Sequence, residues 1–479
     1  MSRGIPFSPV LGGLRAGRTF AEERGAEFSL PVPRDIRRRI AAGWLLLGLA
    51  ALIGSGLFSV LLVLARTPGL QRLFPVADFF RVALVVHVDL SVLVWFLAFG
   101  GALWSLNSTP RWLGVGRVAL LLAAAGALVM AGAPFFGAGQ PLMSNYIPVL
   151  QHSLFLAGLV IFAAGIGLLV LRAMAAIPPV GPWMQGAAAL RFGLNTAAVS
   201  AMLALIAFIW SYLTVPGTLH GKPYFEMLFW GGGHVLQFTY TLLVLVAWLW
   251  LASASRLHLA LSPRVALILF GLGLIVVFFT PIIYYAYPVT SVEHIKLFTW
   301  LMQYGGSLAT LPLALALLHG LWRAPRAEGE AQPLRAALIA SMILFGAGGV
   351  IGFLIRGTNV TIPAHYHGSI VGVTLAFMGL AYHLLPQLGY RAIEVKWARV
   401  QPWLYGGGQF LHVMGLVISG GYGVQRKVAG AEQALDSTGR VFGMGLMGIG
   451  GLIAIAGGFL FLYVCYRAMR PMKLVRHAA

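Results

Sequence analysis

The sequence predicts an all-α integral membrane protein, a bundle of about twelve transmembrane helices. Three observations predict it. Of 479 residues, 59% are hydrophobic and only 10% are charged, whereas a soluble domain carries about 25% charged residues. Apolar runs of about 20 residues, long enough to cross a bilayer, recur along the whole chain. Lysine and arginine are also shared unequally between the two sets of loops.

Residues 1–39 form a polar arm that closes on Arg34, Arg37, Arg38 and Arg39. The arm lacks the apolar stretch of a cleavable signal peptide. Spans are expected at 40–65, 79–106, 115–133, 146–173, 190–215, 223–252, 264–288, 296–322, 335–356, 362–388, 401–424 and 439–467. Residues 40–467 thus make one membrane domain, and 468–479 form a basic tail. An even number of spans puts both termini on one side. With that side cytoplasmic, the arm, the tail and five loops hold 24 of the 33 Lys and Arg residues, and the six outer loops hold 9. This is the bias that the positive-inside rule expects. The net charge of +20 is therefore a topological signal; membrane lipid is the implied surround, and no nucleic acid is needed to explain it. The single cysteine, Cys465, excludes disulfides, Fe–S clusters and haem attached through C-x-x-C-H.

Four histidines fall in the outer half of the membrane on this topology. His365 and His367, in Ile362-Pro-Ala-His-Tyr-His-Gly368, lie near the outer start of span ten. Residues two apart on a helix point about 200° apart, so these imidazoles face opposite ways and serve two separate sites. His87, in Val85-Val-His-Val-Asp-Leu90, and His234, in Trp230-Gly-Gly-Gly-His-Val-Leu-Gln-Phe238, lie about 12 and 17 Å deep at roughly 1.5 Å per residue. Ionisable residues within a membrane are rare and mark functional sites by default. Imidazole is an axial ligand for haem iron, and the macrocycle packs between apolar helices. The remaining histidines, among them His294, His383 and His412, are expected at span ends, facing the interface.

With twelve spans, a histidine early in span two and Ala364-His-Tyr-His-Gly368 in span ten, the chain resembles subunit I of the haem–copper oxidase superfamily, nearest to the C-type cytochrome oxidases and the nitric oxide reductases. The ending Leu384-Leu-Pro-Gln-Leu388 and the stretch Gly420-Gly-Tyr-Gly-Val-Gln-Arg-Lys427 extend the likeness. The resemblance implies two haems, b-type or related. His87 and His367 are the implied ligands of a low-spin haem, and His365 that of a second haem. Arg426 and Lys427 are implied to pair with propionates. His234 matches the one histidine that span six contributes to the family's second metal. An outer-face electron donor, a cytochrome c or cupredoxin-type subunit, and a multisubunit complex in a bacterial or archaeal plasma membrane are implied as well.

Span seven departs from that pattern. Its matching stretch reads Phe279-Thr-Pro-Ile-Ile-Tyr-Tyr-Ala286, with Ile282 and Ile283 where the family has a His-His pair. Isoleucine has no lone pair, and one imidazole is a poor site for copper or non-haem iron, which want three or four ligands. The expectation is a respiratory haem protein that passes electrons through a bis-histidine haem to a second haem beside a degenerate or missing metal. Tyr240, Tyr284 and Tyr285 are candidate catalytic donors lining the second pocket. Two alternatives stand beside this reading. One is a full terminal oxidase or nitric oxide reductase with other metal ligands. The other is a twelve-span secondary transporter without haem.

Overall fold

The computed structural model describes residues 27–70, 77–137, 139–182 and 184–470. The first 26 residues of the polar arm, and the tail residues Lys473 and Arg476, lie outside the described residues. The helices are α1 (Ile36–Arg66), α2 (Ala77–Val88), α3 (Trp95–Leu106), α4 (Leu113–Gly132), α5 (Ser153–Ala175), α6 (Gly186–Thr214), α7 (Gly221–Ala254), α8 (Pro263–Ile275), α9 (Phe279–Ala286), α10 (Val292–Gly305), α11 (Ser307–Arg323), α12 (Ala331–Leu354), α13 (Thr361–Gln387), α14 (Val395–Ala398), α15 (Gln401–Gly421) and α16 (Thr438–Met469). A two-stranded antiparallel hairpin, β1 (Gln140–Leu142) and β2 (Val149–Gln151), pairs Pro141 with Leu150.

Among the described residues, eleven helical stretches are long and apolar enough to cross a membrane. Each falls on an expected span, and the protein is a multi-pass membrane protein. The expected span at 401–424 is present as α15, but it is not one of the eleven. Its 21 residues are about 32 Å long at 1.5 Å per residue; its sequence carries Gln401, Gln409 and His412 among the apolar residues. The arm is also less separate than expected. Phe28 is fully buried, and its N–H donates to Ser253 Oγ at the end of α7 at 2.7 Å.

Several helices are broken, and the breaks lie near the histidines. A π-helical turn over Asp89–Val94 joins α2 to α3 directly after His87; such turns are frequent at functional sites. A 3₁₀ turn over Val276–Phe278 joins α8 to α9, and α10 meets α11 at Gly306. Helices α7 and α13 are the most buried of the bundle, while α10 and α11 lie mostly at its surface.

Small residues and a few polar ties hold the centre. Gly408 and Gly415 of α15 face Gly450 and Met447 of α16, where a side-chain carbon would strike the other backbone. Close backbone approach of this kind is how membrane helices associate without a hydrophobic driving force. Trp248 Nε1 of α7 donates to Ser341 Oγ of α12 at 2.7 Å, and that hydroxyl donates to Gly372 O of α13 at 2.6 Å. Bonds like these contribute about 0.6 kcal/mol each within a membrane. They fix the rotation of α13, and so the directions in which its histidines point.

Candidate functional site

The two histidines of α13 go to different places. His367 lines a cavity of about 350 Å³, within the usual range of small-molecule sites, roughly 300–1,000 Å³. Residues of α1, α2, α13, α15 and α16 line it, with Gly233, Leu236, Gln237 and Tyr240 of α7. His87 lines it as well. Its Nδ1 donates to the Ser55 carbonyl at 3.0 Å, which leaves the lone pair on Nε2. Both histidines therefore line one cavity, on walls contributed by different helices.

The end of the cavity beside the 143–148 loop is basic. Arg426 and Lys427 line it, together with residues 143–148 of the hairpin loop. Arg426 Nη1 donates to Asn145 Oδ1 at 3.3 Å, and Lys427 Nζ donates to Met143 O at 2.6 Å. Lys427 sits at φ +65°, a left-handed conformation that costs about 1–2 kcal/mol in a non-glycine residue. Val360 N, next to the start of α13, donates to Val424 O at 2.9 Å, so the loop is tied to the helix that carries both histidines. Burial, helped by the like charge of Arg426, pushes the Lys427 ammonium down to about 8. Arg66 of α1 also lines the cavity, and its Nε and Nη2 are buried without a hydrogen-bond partner. A buried guanidinium nitrogen without an acceptor is costly, and a bound carboxylate is one group that relieves it.

His365 turns the other way, as the 200° separation requires. Its Nδ1 donates to Gly348 O of α12 at 2.7 Å, again leaving the Nε2 lone pair unused. Gly352, one turn further along α12, makes room for the ring: a carbon added there would lie 2.9 Å from the imidazole. His365 is not among the residues that line the cavity.

His234 is placed differently again. Its Nδ1 donates to Trp230 O at 2.7 Å, which makes Nε2 the acceptor for the Tyr146 hydroxyl at 2.8 Å. Neither nitrogen keeps a free lone pair in this arrangement. Its ring packs on Trp230, Tyr146 and Phe298. Of the two isoleucines, Ile283 is buried and Ile282 is 59% exposed on the bundle's outer surface. Among the described residues, no three His, Cys, Asp or Glu side chains are grouped so as to hold a metal ion.

The three tyrosines separate. Tyr240 is buried, lines the cavity and leaves its hydroxyl without a partner. Tyr284 is buried with its hydroxyl 2.7 Å from Ser211 Oγ. The expectation that Tyr285 lines an inner pocket is corrected, because it is 89% exposed. Successive helical residues diverge by about 100°, so turning Tyr284 inward turns Tyr285 outward.

Two histidines expected at the interface are in the interior. His294 follows the N-cap Ser291 of α10 and is fully buried against Tyr284 and Phe298. His412 lies midway along α15, is 7% exposed and lines the same cavity as His87 and His367. Its ring centroid is 4.5 Å from that of His367. The signal that both were interior was weak: they sit in or beside apolar sequence, but no periodicity shows which face of these helices is covered.

Comparison with known proteins gives the family. Residues 39–454 match the model of the cytochrome c and quinol oxidase polypeptide I family, and the chain belongs to that family. An uncharacterized protein of Rickettsia prowazekii (strain Madrid E) is 28% identical across 91% of this chain and 96% of its own length. An uncharacterized protein of Aquifex aeolicus (strain VF5) is 31% identical across 72% of this chain and 85% of its own. The fold is similar to that of a chain from a haem–copper terminal oxidase dimer solved by cryo-electron microscopy. That match has a TM-score of 0.72 at 18% identity and covers 92% of this chain and 85% of the other. The protein is thus a haem–copper oxidase subunit I-like membrane protein, of a family that binds haem and works in multisubunit respiratory complexes.

Proposed function

We propose that the protein is a respiratory electron-transfer subunit that holds a low-spin haem between His87 and His367 and a second haem on His365. The observation that carries this is the cavity shared by His87 and His367, with Arg426, Lys427 and Arg66 among its lining residues, the Nε and Nη2 of Arg66 buried without a partner among the described residues. A haem held by two imidazoles supplies one-electron transfer without an open position for a gas.

The residues of this chain do the rest. Ser55 fixes the tautomer and orientation of His87 through its carbonyl. Gly348 does the same for His365, and such outer hydrogen bonds raise the basicity of a ligating imidazole. Arg426 and Lys427 present positive charge where carboxylates would be held at the outer face. Leu52, Leu84, Ile370 and Val371 give the cavity apolar sides that exclude water.

The residues do not fit the family's second metal. His234 has both nitrogens engaged, and the span-seven positions are isoleucines, one of them facing outward. This supports a second haem without a neighbouring copper or non-haem iron. The donor is a cytochrome c or cupredoxin-type partner on the outer face, and the termini are cytoplasmic in a bacterial or archaeal plasma membrane.

The test is a pyridine-haemochrome assay with metal quantitation on the purified protein, followed by carbon monoxide titration of the reduced form. Two haems per chain with little copper or non-haem iron is expected. A stoichiometric second metal would return the protein to the full oxidase or reductase class. A colourless protein would leave the transporter reading standing.

A further inference from the structure

We infer that His412 is a reserve axial ligand, able to take the place of His367 so that iron held by His87 stays six-coordinate. This rests on the haem reading of the cavity. Three observations carry it.

His412 lines the same cavity as the two proposed ligands, and its ring centroid lies only 4.5 Å from that of His367, with the planes inclined by 54°. Its protonation is set in the same way as that of His87. Nδ1 donates to Met447 O of α16 at 2.9 Å, so Nε2 carries the lone pair. Among the described residues, that Nε2 has no hydrogen-bond partner, and no hydrogen bond joins His412 to His367. His234, by contrast, has both ring nitrogens engaged.

The surroundings also leave room for the ring. Gly451 of α16 lies against it, where a side-chain carbon would come within 3.2 Å of Nδ1. Its neighbour Gly450 lets the α16 backbone approach α15 at His412. The two imidazoles come from different helices, α13 and α15. They compete for one coordination position and cannot both fill it. A partner for His87 therefore remains when either is withdrawn, and the haem stays closed to small ligands.

The test uses the full-length chain with its haems, read by electron paramagnetic resonance of the ferric form and by carbon monoxide binding per chain in the ferrous form. His412→Ala should keep the bis-histidine low-spin signal. His367→Leu should also keep a low-spin signal of full intensity, with shifted g-values and no additional carbon monoxide site. The double variant, His367→Leu with His412→Ala, should lose that signal and bind one more carbon monoxide per chain. If leucine crowds the cavity, His367→Ala leaves space for His412 and should give the same retention.

Loss of the low-spin signal in His367→Ala, with recovery of that signal on adding free imidazole, would overturn the reserve-ligand role and leave the haem reading intact. Wild-type protein without a low-spin haem would overturn both.

Discussion

His367 and His365 stand two residues apart on α13, and their surroundings differ in kind. His367 opens on a cavity with a second imidazole, a third close by and basic residues at one end. His365 lies against the α12 backbone, its Nδ1 bound to Gly348 O and its ring fitted over Gly352. His234 on α7 has both ring nitrogens engaged, by Tyr146 and Trp230, while His294, packed on the same Phe298, leaves both of its nitrogens without a hydrogen-bond partner among the described residues. The cavity side also keeps unsatisfied groups among the described residues, Arg66 Nε and Nη2 and the Tyr240 hydroxyl. Unsatisfied buried groups are costly, and here they line a cavity.

The comparison breaks most sharply at His87, for which the cavity lining offers no further histidine beyond His367 and His412. His87→Ala should remove the low-spin haem spectrum altogether while leaving the His365 haem able to bind carbon monoxide. A spectrum unchanged by this substitution would place the haem elsewhere.

The other side is tested at Gly352. A leucine there must displace the His365 imidazole, and overpacking of this kind costs about 1–3 kcal/mol. The expected outcome is loss of the second haem's carbon monoxide difference spectrum with the low-spin spectrum retained. Equal loss of both haems would mean that the two sides of α13 are not independent.

The sealed metal side makes a negative prediction. Replacing Ile282 and Ile283 together by histidine should not create a copper site, because position 282 faces outward and His234 is already bonded at both nitrogens. Elemental analysis showing one copper per chain in this variant would contradict that account of span seven.

The smallest effect is expected at the cavity's basic end. Lys427 titrates near 8, so its charge is present below that pH and lost as the pH rises through it. A nearby positive charge favours the less positive, reduced haem. The low-spin midpoint potential should therefore fall from pH 7 to pH 9, and a carboxylate seated on the lysine moves this step upward in pH. Lys427→Met should show a lower potential at pH 7 and no such step in a spectroelectrochemical titration.

The sequence alone determined the spans, because bilayer thickness sets helix length and hydropathy reports it directly. It also determined that His365 and His367 part company, because helical geometry leaves residues two apart no common face. The sequence also shows isoleucine, which has no lone pair, at positions 282 and 283, where the family resemblance implies a histidine pair.

Only the tertiary structure decided which face of each helix meets a neighbour. In a soluble helix the apolar stripe marks that face. In a membrane helix, lipid and protein cover apolar residues alike, so the stripe carries little information. Tyr285 was misplaced outside the reach of pattern, and His294 and His412 were hidden from it, for that reason. The bond that seals His234 comes from Tyr146, which is 88 residues away in the chain. His412 is brought beside His367 because α15 is packed closely on α16 through glycines, and α15 in turn against α13. Those contacts are set by how the helices pack, and no single stretch of sequence specifies them.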